Sequence, residues 1–244
     1  TPAAVSIGRI SIPNFGKISI TNKHVIRGQK VLIMRLMLNG GVVARDFIVP
    51  LYDEKGAQLF SDHPSAIVDI VAISLSTVVV PPIDKDVCCF EYPSGVLSLS
   101  DMEKLGYGEG SAFFALGFPM GMVDARHNFA ICRLGCLAKI ESSYRNLDPV
   151  DFLGDVEAFP GNSGGPAVVN NERQGSDENT VLIGILHASL PYQEKLISAQ
   201  TGRVRSVTEE NSGLTMIHPV DRIVEVVQRE LDRVKMATIS RNSL

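Results

Sequence analysis

The sequence predicts an all-β protein made of two similar β subdomains and a C-terminal α-helix. Short apolar runs alternate with turn residues along most of the 244 residues, a pattern typical of β-barrels and β-sandwiches. Pro81 and Pro82 divide these runs into two groups and mark a crossover between them. From Pro219 onward, apolar residues recur at helical spacing, which indicates one helix at the end of the chain.

The first group of strands lies in the N-terminal third. Residues 1–50 carry several short apolar runs, and Asn39-Gly40-Gly41 between two of them is a strong hairpin signal. Residues 53–66 are polar and predict a loop, after which residues 67–75 form the apolar run IVDIVAISL. Residues 76–111 then connect this group to the second one.

The connection and the second half contain both helices. Ser100 to Glu103 fits a capping box, so a short helix is expected to end near Gly106. The polar segment from Pro191 to Ser212 is long enough for a mobile flap. The strands between them are expected in the runs SAFFALGFP, FAICRLGCLAKI, FLGDVEAF, AVV and TVLIGILHASL. The apolar stripe of the final helix comprises Val220, Ile223, Val224, Val227, Leu231 and Val234.

Composition and net charge limit the classes of binding partner that are expected. The chain has 244 residues, which is long enough for one large or two small domains. It is 45% hydrophobic and 20% charged, as is ordinary for a globular protein, and it carries a net charge of −4. No basic face is indicated, which argues against a nucleic-acid partner. No apolar run approaches the roughly 18 residues that a membrane span needs. A polypeptide substrate is expected, and the oligomeric state is left open.

Four cysteines do not make a disulfide framework. Cys88 and Cys89 are adjacent, and Cys132 and Cys136 share one face of a strand-like run without being placed at bridging distance. Their spacing does not match the usual zinc patterns, so neither a metal nor a cofactor is expected. Few cysteines favour a reducing compartment such as the cytoplasm. The compartment stays open, because Thr1 is not a native start and a leader could have been removed.

The stretch around Ser163 is organised for chemistry. In Gly161-Asn162-Ser163-Gly164-Gly165-Pro166, glycines let a substrate carbonyl approach the backbone closely. The N–H groups of Gly161 and Ser163 could then stabilise a developing oxyanion, while the serine needs a base and an orienting group. The string also fits the nucleophile elbow of α/β-hydrolases, which requires a helix directly after the serine. A glycine-rich turn between two strands is the remaining alternative.

His24 and Asp69 are the candidate partners of the serine. His24 ends the run ISITNKHVI, where a histidine is more often structural than catalytic. Asp69 lies inside an apolar run, and burial of a carboxylate there is costly unless the group is paired. It could pair with the ring of His24, or it could face solvent at a sheet edge. Asp62, next to His63, is the competing acid.

Three segments together resemble those of the trypsin-like serine peptidases. ITNKHVI, VDIVAISL and PGNSGGP resemble the histidine, aspartate and serine segments of that family, more closely in its bacterial peptidase domains than in digestive trypsins. The resemblance covers almost the whole chain. Its chymotrypsin-like fold implies two perpendicular six-stranded antiparallel β-barrels with a C-terminal α-helix. The implied divisions are an N-terminal barrel at 1–82, an interdomain connection with a short helix at 83–111, a C-terminal barrel at 112–217 and the helix at 218–237.

The resemblance implies a role for each candidate. Ser163 would attack the scissile carbonyl, His24 would accept and pass on its proton, and Asp69 would hold the imidazole. Gly161 and Ser163 would form the oxyanion hole. Two departures stand out. The motif Asp-Ile-Ala or Asp-Val-Ala is one residue longer here, which leaves the register of Asp69 open, and Asn162 replaces an aspartate, which argues against activation by a cleaved N-terminus.

The substrate pocket has three open interpretations. Glu157 lies six residues before the serine, where the family places the floor of the primary pocket, and an acid there would favour Arg or Lys. His187 lies on the strand expected to form the pocket wall, near where some relatives use histidine to bind an acidic residue. Leu186, Ala188 and Ser189 instead indicate a small or apolar preference.

The sequence therefore predicts a serine endopeptidase that hydrolyses peptide bonds through a Ser-His-Asp triad and an acyl-enzyme intermediate. The main alternative is a catalytically latent or inactive binding or sensor module with the same fold, since a protease fold does not guarantee protease activity. The third is an esterase of the α/β-hydrolase type, with a late histidine such as His187 or His218 as the base.

Overall fold

The N-terminal half of the protein forms an open sheet and a separate hairpin. The computed structural model describes residues 8–13, 16–37, 43–75, 88–124, 126–146, 150–170 and 180–242. The elements of this half are β1 (Gly8–Ile12), β2 (Gly16–Thr21), α1 (Lys23–Ile26), β3 (Val31–Leu36), β4 (Arg45–Pro50), β5 (Ser61–Asp62), β6 (Val71–Ser74) and β7 (Phe90–Glu91). The five-stranded sheet has the order β5–β6–β2–β1–β7, and β3 pairs with β4.

The closed six-stranded barrel expected for residues 1–82 is not found within the described part of the chain. The five-stranded sheet stays open, and the β3–β4 hairpin joins it by side-chain packing rather than through strand pairing. Met34 and Val49 of the hairpin share one buried cluster with Val71 and Ile73 of β6. The sheet and the hairpin thus pack as two layers and bury the apolar residues between them. Because a closed barrel would bury the same alternating residues, the sequence pattern did not distinguish a barrel from two packed layers.

Some expected features lie outside the described residues. These are the hairpin turn at Asn39-Gly40-Gly41 and the crossover at Pro81 and Pro82. The four cysteines are all described, and each is free of a disulfide bond.

The C-terminal half closes into one six-stranded barrel, as the resemblance to the trypsin-like peptidases implies. Its strands are β8 (Ala112–Gly117), β9 (Ile131–Lys139), β10 (Phe152–Asp155), β11 (Pro166–Asn170), β12 (Thr180–Ile197) and β13 (Val204–Pro219). The hydrogen-bonded order is β10–β13–β12–β11–β8–β9, and the pairing of β9 with β10 closes the barrel. The interior is filled by fully buried side chains, the largest being Phe113 and Phe152.

The polar segment from Pro191 to Ser212 forms a β-hairpin, and its mobility as a flap stays a prediction. β12 and β13 continue beyond the barrel and pair from Pro191 with Asn211 as far as Ile197 with Val204. Every residue from 191 to 197 and from 204 to 211 is exposed. The polar composition of this segment is thus that of a ribbon with solvent on both faces.

In the described part of the chain, two further short helices and a 3₁₀ turn connect strands. The N-cap residue of α2 (Leu99–Lys104) is Ser98, two residues before Ser100, where the sequence predicts it. The Ser98 hydroxyl accepts the Asp101 N–H at 3.2 Å, and the Asp101 carboxylate accepts the Ser98 N–H at 3.4 Å. α3 (Glu141–Tyr144) and the 3₁₀ turn Pro119–Gly121 are the other two.

The C-terminal helix α4 (Val220–Asn242) joins the two halves. Its stripe of Val220, Ile223 and Val227 is buried in one cluster with residues of both sheets, among them Ile18 of β2 and Leu182 of β12. Because the apolar face is covered within the chain, the helix packs on the body of the protein. None of the helices in the described ranges has the length and apolarity to cross a membrane.

Glu230 anchors α4 to the open sheet, and its replacement is expected to destabilise the fold. Its fully buried carboxylate accepts the Ser61 hydroxyl at 2.8 Å, the Ser74 N–H at 2.9 Å and the Arg233 guanidinium at 2.7 Å. Glu230→Gln removes the charge and leaves buried donors with fewer acceptors, so the free energy of unfolding should fall by about 3 kcal/mol.

Urea unfolding measures this loss. Glu141→Gln is the matched control, because Glu141 pairs with Arg145 at 3.3 Å on the surface and should change the free energy by less than about 1 kcal/mol. Equal losses for both variants would contradict the anchoring role of Glu230.

Candidate active site

One cavity of about 730 Å³ brings together most of the predicted site residues. His24 lines it from the N-terminal half, and Gly161 and Ser163 line it from the loop that precedes β11. His187 and Ser189 line it from β12. Both halves of the chain therefore contribute to this cavity, as a cleft between two subdomains requires.

The loop that carries Ser163 is held on both sides by backbone hydrogen bonds. The N–H of Gly164 donates to Leu186 of β12 at 2.8 Å, and the Gly164 carbonyl accepts the N–H of Gly8 in β1 at 3.2 Å. The fully buried Asn162 accepts the Phe159 N–H on its side chain at 3.1 Å and donates its own N–H to the Phe159 carbonyl at 2.9 Å. Asn162 thus closes the turn that presents the serine, in the position where digestive enzymes have an aspartate.

Gly161 occupies a position that no other residue fits. Its φ angle of +100° is disfavoured for residues with a side chain, and a Cβ there would lie well under 3.0 Å from the carbonyl oxygen of Phe118. The 3₁₀ turn is also tied to this loop, since the Met120 N–H donates to the Pro160 carbonyl at 2.7 Å. The glycine string in the sequence therefore has a geometric cause.

His24 and Asp69 form the imidazole–carboxylate pair that the sequence predicts. His24 Nδ1 contacts Asp69 Oδ2, and the His24 backbone N–H donates to Asp69 Oδ1 at 3.1 Å. The longer motif after Asp69 therefore leaves this acid in register with the histidine. The competing acid Asp62 accepts a hydrogen bond from Gln58 instead, at 3.3 Å.

The backbone of Asp69 is held by Asn22, two residues before His24, and by His218 of β13. Asn22 Nδ2 donates to the Asp69 carbonyl at 2.8 Å, and the Asp69 N–H donates to Nε2 of His218 at 3.0 Å. Burial acts to raise the pKa of the Asp69 carboxyl, but hydrogen bonds from His24, together with the electrostatic attraction of His24 and of the nearby His187, lower this pKa below its ordinary value. Asp69 is thus held as an anion beside the imidazole.

Ser163 and His24 share the cavity without a side-chain hydrogen bond between them. Within the described part of the chain, the Ser163 hydroxyl has no hydrogen-bond partner. Serine–histidine bonds are often long in unliganded sites and tighten when substrate binds. Strand β11 starts three residues after Ser163, which excludes the helix that the α/β-hydrolase elbow needs.

The three candidates for the substrate pocket differ in their placement. Glu157 is exposed, pairs with Arg133 at 3.2 Å and is not among the described residues that line the cavity. His187 lines the cavity, but its Nε2 is bound to Asp151 at 2.9 Å. Ser189 lies in the same wall, beside Ala188.

Sequence reasoning missed a buried cluster directly behind Asp69. Asp151 Oδ1 contacts His187 Nε2 at 2.9 Å and His218 Nδ1 at 2.6 Å, and the two imidazole rings stack with centroids 3.8 Å apart. Asp151 precedes β10, while the histidines lie in β12 and β13, so no local motif announces the cluster. Only closure of the barrel brings the three residues together.

The cluster contains the residue types of a metal site, but the proton positions on His218 do not suit one. One ligand atom from each of Asp151, His187 and His218 lies within 4.8 Å of the others. However, the Asp69 N–H donates to His218 Nε2, so that nitrogen must carry a lone pair and Nδ1 must carry the proton of the neutral ring. A metal ion on Nδ1 would leave the one proton of the neutral ring on Nε2, where it would face the Asp69 N–H, so these residues do not fit a bound ion.

The cluster is expected to make stability depend on pH in the acid range. Burial acts to raise the pKa of Asp151, but hydrogen bonds from His187 and His218 lower it from 3.8 to about 2. Because the folded pKa lies below the unfolded one, this carboxylate contributes about 2 kcal/mol above pH 4, and the contribution disappears as the pH falls towards 2.

Urea unfolding of the wild type and of Asp151→Asn between pH 6 and pH 2 checks this expectation. The difference in unfolding free energy between the two proteins should be constant above about pH 4 and shrink below it. A difference that does not change with pH would contradict the lowered pKa of Asp151.

Comparison with known structures identifies the fold. The HtrA-type protease AlgW with decapeptide superposes with a TM-score of 0.52 at 17% sequence identity, over 95% of this chain and 66% of the AlgW chain. A second AlgW structure with decapeptide gives 0.40 at 18% identity, over 92% and 50% of the respective chains. No protein-family model and no curated protein matches the sequence. The chain thus has a trypsin-like peptidase fold and spans just under two thirds of the length of the AlgW chain.

Proposed function

We propose that the protein is a serine endopeptidase in which His24, Asp69 and Ser163 carry the reaction. The observation that supports this most strongly is that His24, paired with Asp69, lines the same cavity as Ser163 and its glycine loop. A trypsin-like fold makes this function reasonable but does not establish it, since function lies in the site.

The proposed reaction proceeds in two steps. Ser163 Oγ attacks the scissile carbonyl carbon while His24 takes the hydroxyl proton, and the carbonyl oxygen becomes an oxyanion near the N–H groups of Gly161 and Ser163. His24 then gives the proton to the leaving amine, and an acyl-enzyme forms. Water attacks the ester by the same route and releases Ser163. Asp69 holds the imidazole and stabilises its cation throughout.

The substrate is proposed to be a polypeptide with a small or apolar residue before the scissile bond. The AlgW structure contains a decapeptide, which supports the substrate class. Ala188 lines the cavity with apolar surface, beside the buried Leu186. Glu157 pairs with Arg133 outside it, and the Nε2 of His187 is bound to Asp151, which argues against a basic or an acidic preference.

A peptide library with one varied residue before the scissile bond tests the function and the preference together. Ala and Val should be cleaved at least about 10-fold faster than Arg and Glu, because burial of an unpaired charge in an apolar pocket is costly. Products are identified by mass spectrometry. Faster cleavage after Arg or Glu would contradict the proposed pocket.

A latent or inactive module of the same fold is the second candidate. The absence of a hydrogen bond from the Ser163 hydroxyl within the described residues favours it. Incubation of the library at high protein concentration, with and without added peptides, separates the two candidates. Cleavage that appears only with an added peptide would indicate latency, and peptide binding without any cleavage would indicate an inactive binding module.

A further inference from the structure

A second imidazole–carboxylate pair, formed by His218 and Asp151, lies against the backbone N–H of Asp69. The backbone N–H of Asp69 donates to His218 Nε2 at 3.0 Å, and the opposite ring nitrogen of His218 lies 2.6 Å from Asp151 Oδ1. His218 is completely buried, and Asp151 is mostly so. Neither residue lines the cavity among its described walls, so each can act on the reaction only through another group.

The proton positions in this pair follow from elementary chemistry. A backbone N–H is always a donor, so His218 Nε2 is an acceptor and carries no proton. An ionised carboxylate only accepts, so His218 Nδ1 and His187 Nε2, which both reach Asp151 Oδ1, carry protons. His218 is therefore a neutral imidazole in one defined tautomer, which the Asp151 carboxylate and the Val150 carbonyl, 3.1 Å from Nδ1, both favour.

We propose that His218 and Asp151 are positioning residues that fix Asp69 in its contact with His24. This inference rests on the function proposed above. Asp69 is held at its carbonyl by Asn22, at its carboxylate by His24 and at its N–H by His218. If the acceptor at His218 is lost, the Asp69 N–H becomes an unpaired buried donor and the peptide unit must move. A shift of the carboxylate then weakens the orientation of His24.

His187 connects this pair to the substrate side. It stacks on His218 with an interplanar angle of 4°, shares the same oxygen of Asp151 and forms part of the cavity wall. The ring of His187 thus covers the positioning pair and separates it from the cavity. A substrate side chain that displaces His187 would disturb the hydrogen bond to Asp151 and the stacking on His218 together.

The tautomer of His218 gives a test that does not depend on activity. The chain has five histidines, so nitrogen-15 spectra of the ring nitrogens can be assigned with single variants. At pH 7 we expect a protonated Nδ1 and an unprotonated Nε2 for His218. A protonated Nε2 or a cationic ring would overturn the proposal, because Asp69 would then have no acceptor.

Two variants test the effect on His24. His218→Phe keeps a flat ring but removes the acceptor for the Asp69 N–H, and Asp151→Asn keeps an acceptor oxygen but removes the charge. Reaction of Ser163 with a fluorophosphonate probe, which forms a phosphonyl-enzyme and releases fluoride, should slow about 10-fold to 100-fold in His218→Phe and less in Asp151→Asn, with little change in KM for peptides. The downfield proton resonance of the His24–Asp69 contact should shift or disappear in His218→Phe.

Glu225→Gln is the matched control. Glu225 binds Nε2 of the buried His63 at 2.6 Å, and His63 is not one of the described residues of the cavity. This variant removes a comparable charge from a buried imidazole and should leave the probe rate and the His24 resonance unchanged.

The outcomes separate the inference from the proposed function. If wild-type protein does not react with the probe, the proposed function fails, while the resonance of the His24–Asp69 contact still tests the positioning pair. If His218→Phe does not fold, Asp151→Asn supplies both readouts. An unchanged resonance and an unchanged probe rate in folded variants would overturn the proposal.

Discussion

Alanine in place of Ser163 is expected to lower kcat/KM for peptide hydrolysis by about 10⁴-fold to 10⁶-fold. The variant lacks the only atom that the proposed mechanism uses to form the acyl-enzyme. The hydrogen bonds that hold the loop come from the backbones of Gly164, Gly165 and Asn162, so the fold should survive. Steady-state hydrolysis of the preferred library peptide measures the loss, and thermal unfolding checks the fold.

Ser206→Ala is the control for this substitution. Ser206 lies in the exposed part of β13, in the hairpin beyond the barrel, and its hydroxyl is not part of the cavity. It should retain the full rate. A Ser163→Ala protein that still hydrolyses peptides at more than about one hundredth of the wild-type rate would contradict the nucleophile assignment.

Gly161→Ala is expected to lower kcat by about 10²-fold to 10³-fold with a smaller effect on KM. A methyl group at a φ of +100° would collide with the carbonyl oxygen of Phe118, so the loop must move. In the proposed mechanism, the N–H of residue 161 then leaves the place where the oxyanion develops. Removal of one such donor costs transition-state stabilisation, which appears in kcat and not in ground-state binding.

Gly56→Ala separates strain from the loss of the donor. Gly56 also has a positive φ, of +83°, but a Cβ there meets nothing within 4 Å and the residue is exposed in a surface turn. This control should lose some stability and no activity. If both glycine variants kept the same kcat, the role of Gly161 in the oxyanion hole would be wrong.

The parts of the site that the sequence predicts are those whose residues are contiguous in a short motif. GNSGGP forms a turn closed by Asn162, and TNKHV places His24 while Asn22 clamps the Asp69 carbonyl. Such local strings fold into local geometry, so their residues can be identified without a structure. The loose aspartate motif was resolved only by the contact between Asp69 and His24.

The parts that the sequence does not predict depend on distant strands. His218, Asp151 and His187 come from three separate segments, and their contacts exist because β10, β12 and β13 are neighbours in the barrel. The sequence does not predict the two strands of the hairpin at 191–211, because solvent covers both of its faces and its residues therefore show no apolar alternation. The N-terminal half likewise buries its apolar residues as an open sheet against a hairpin.

The most direct test of the central claim is labelling with a fluorophosphonate probe, followed by peptide mass spectrometry, with Ser163→Ala as the control. Such probes react only where a nucleophile, a base and an oxyanion hole are assembled. The proposed mechanism predicts one label, on Ser163, that is absent from the variant. Folded wild-type protein without a label, or a label that persists in Ser163→Ala, would contradict it.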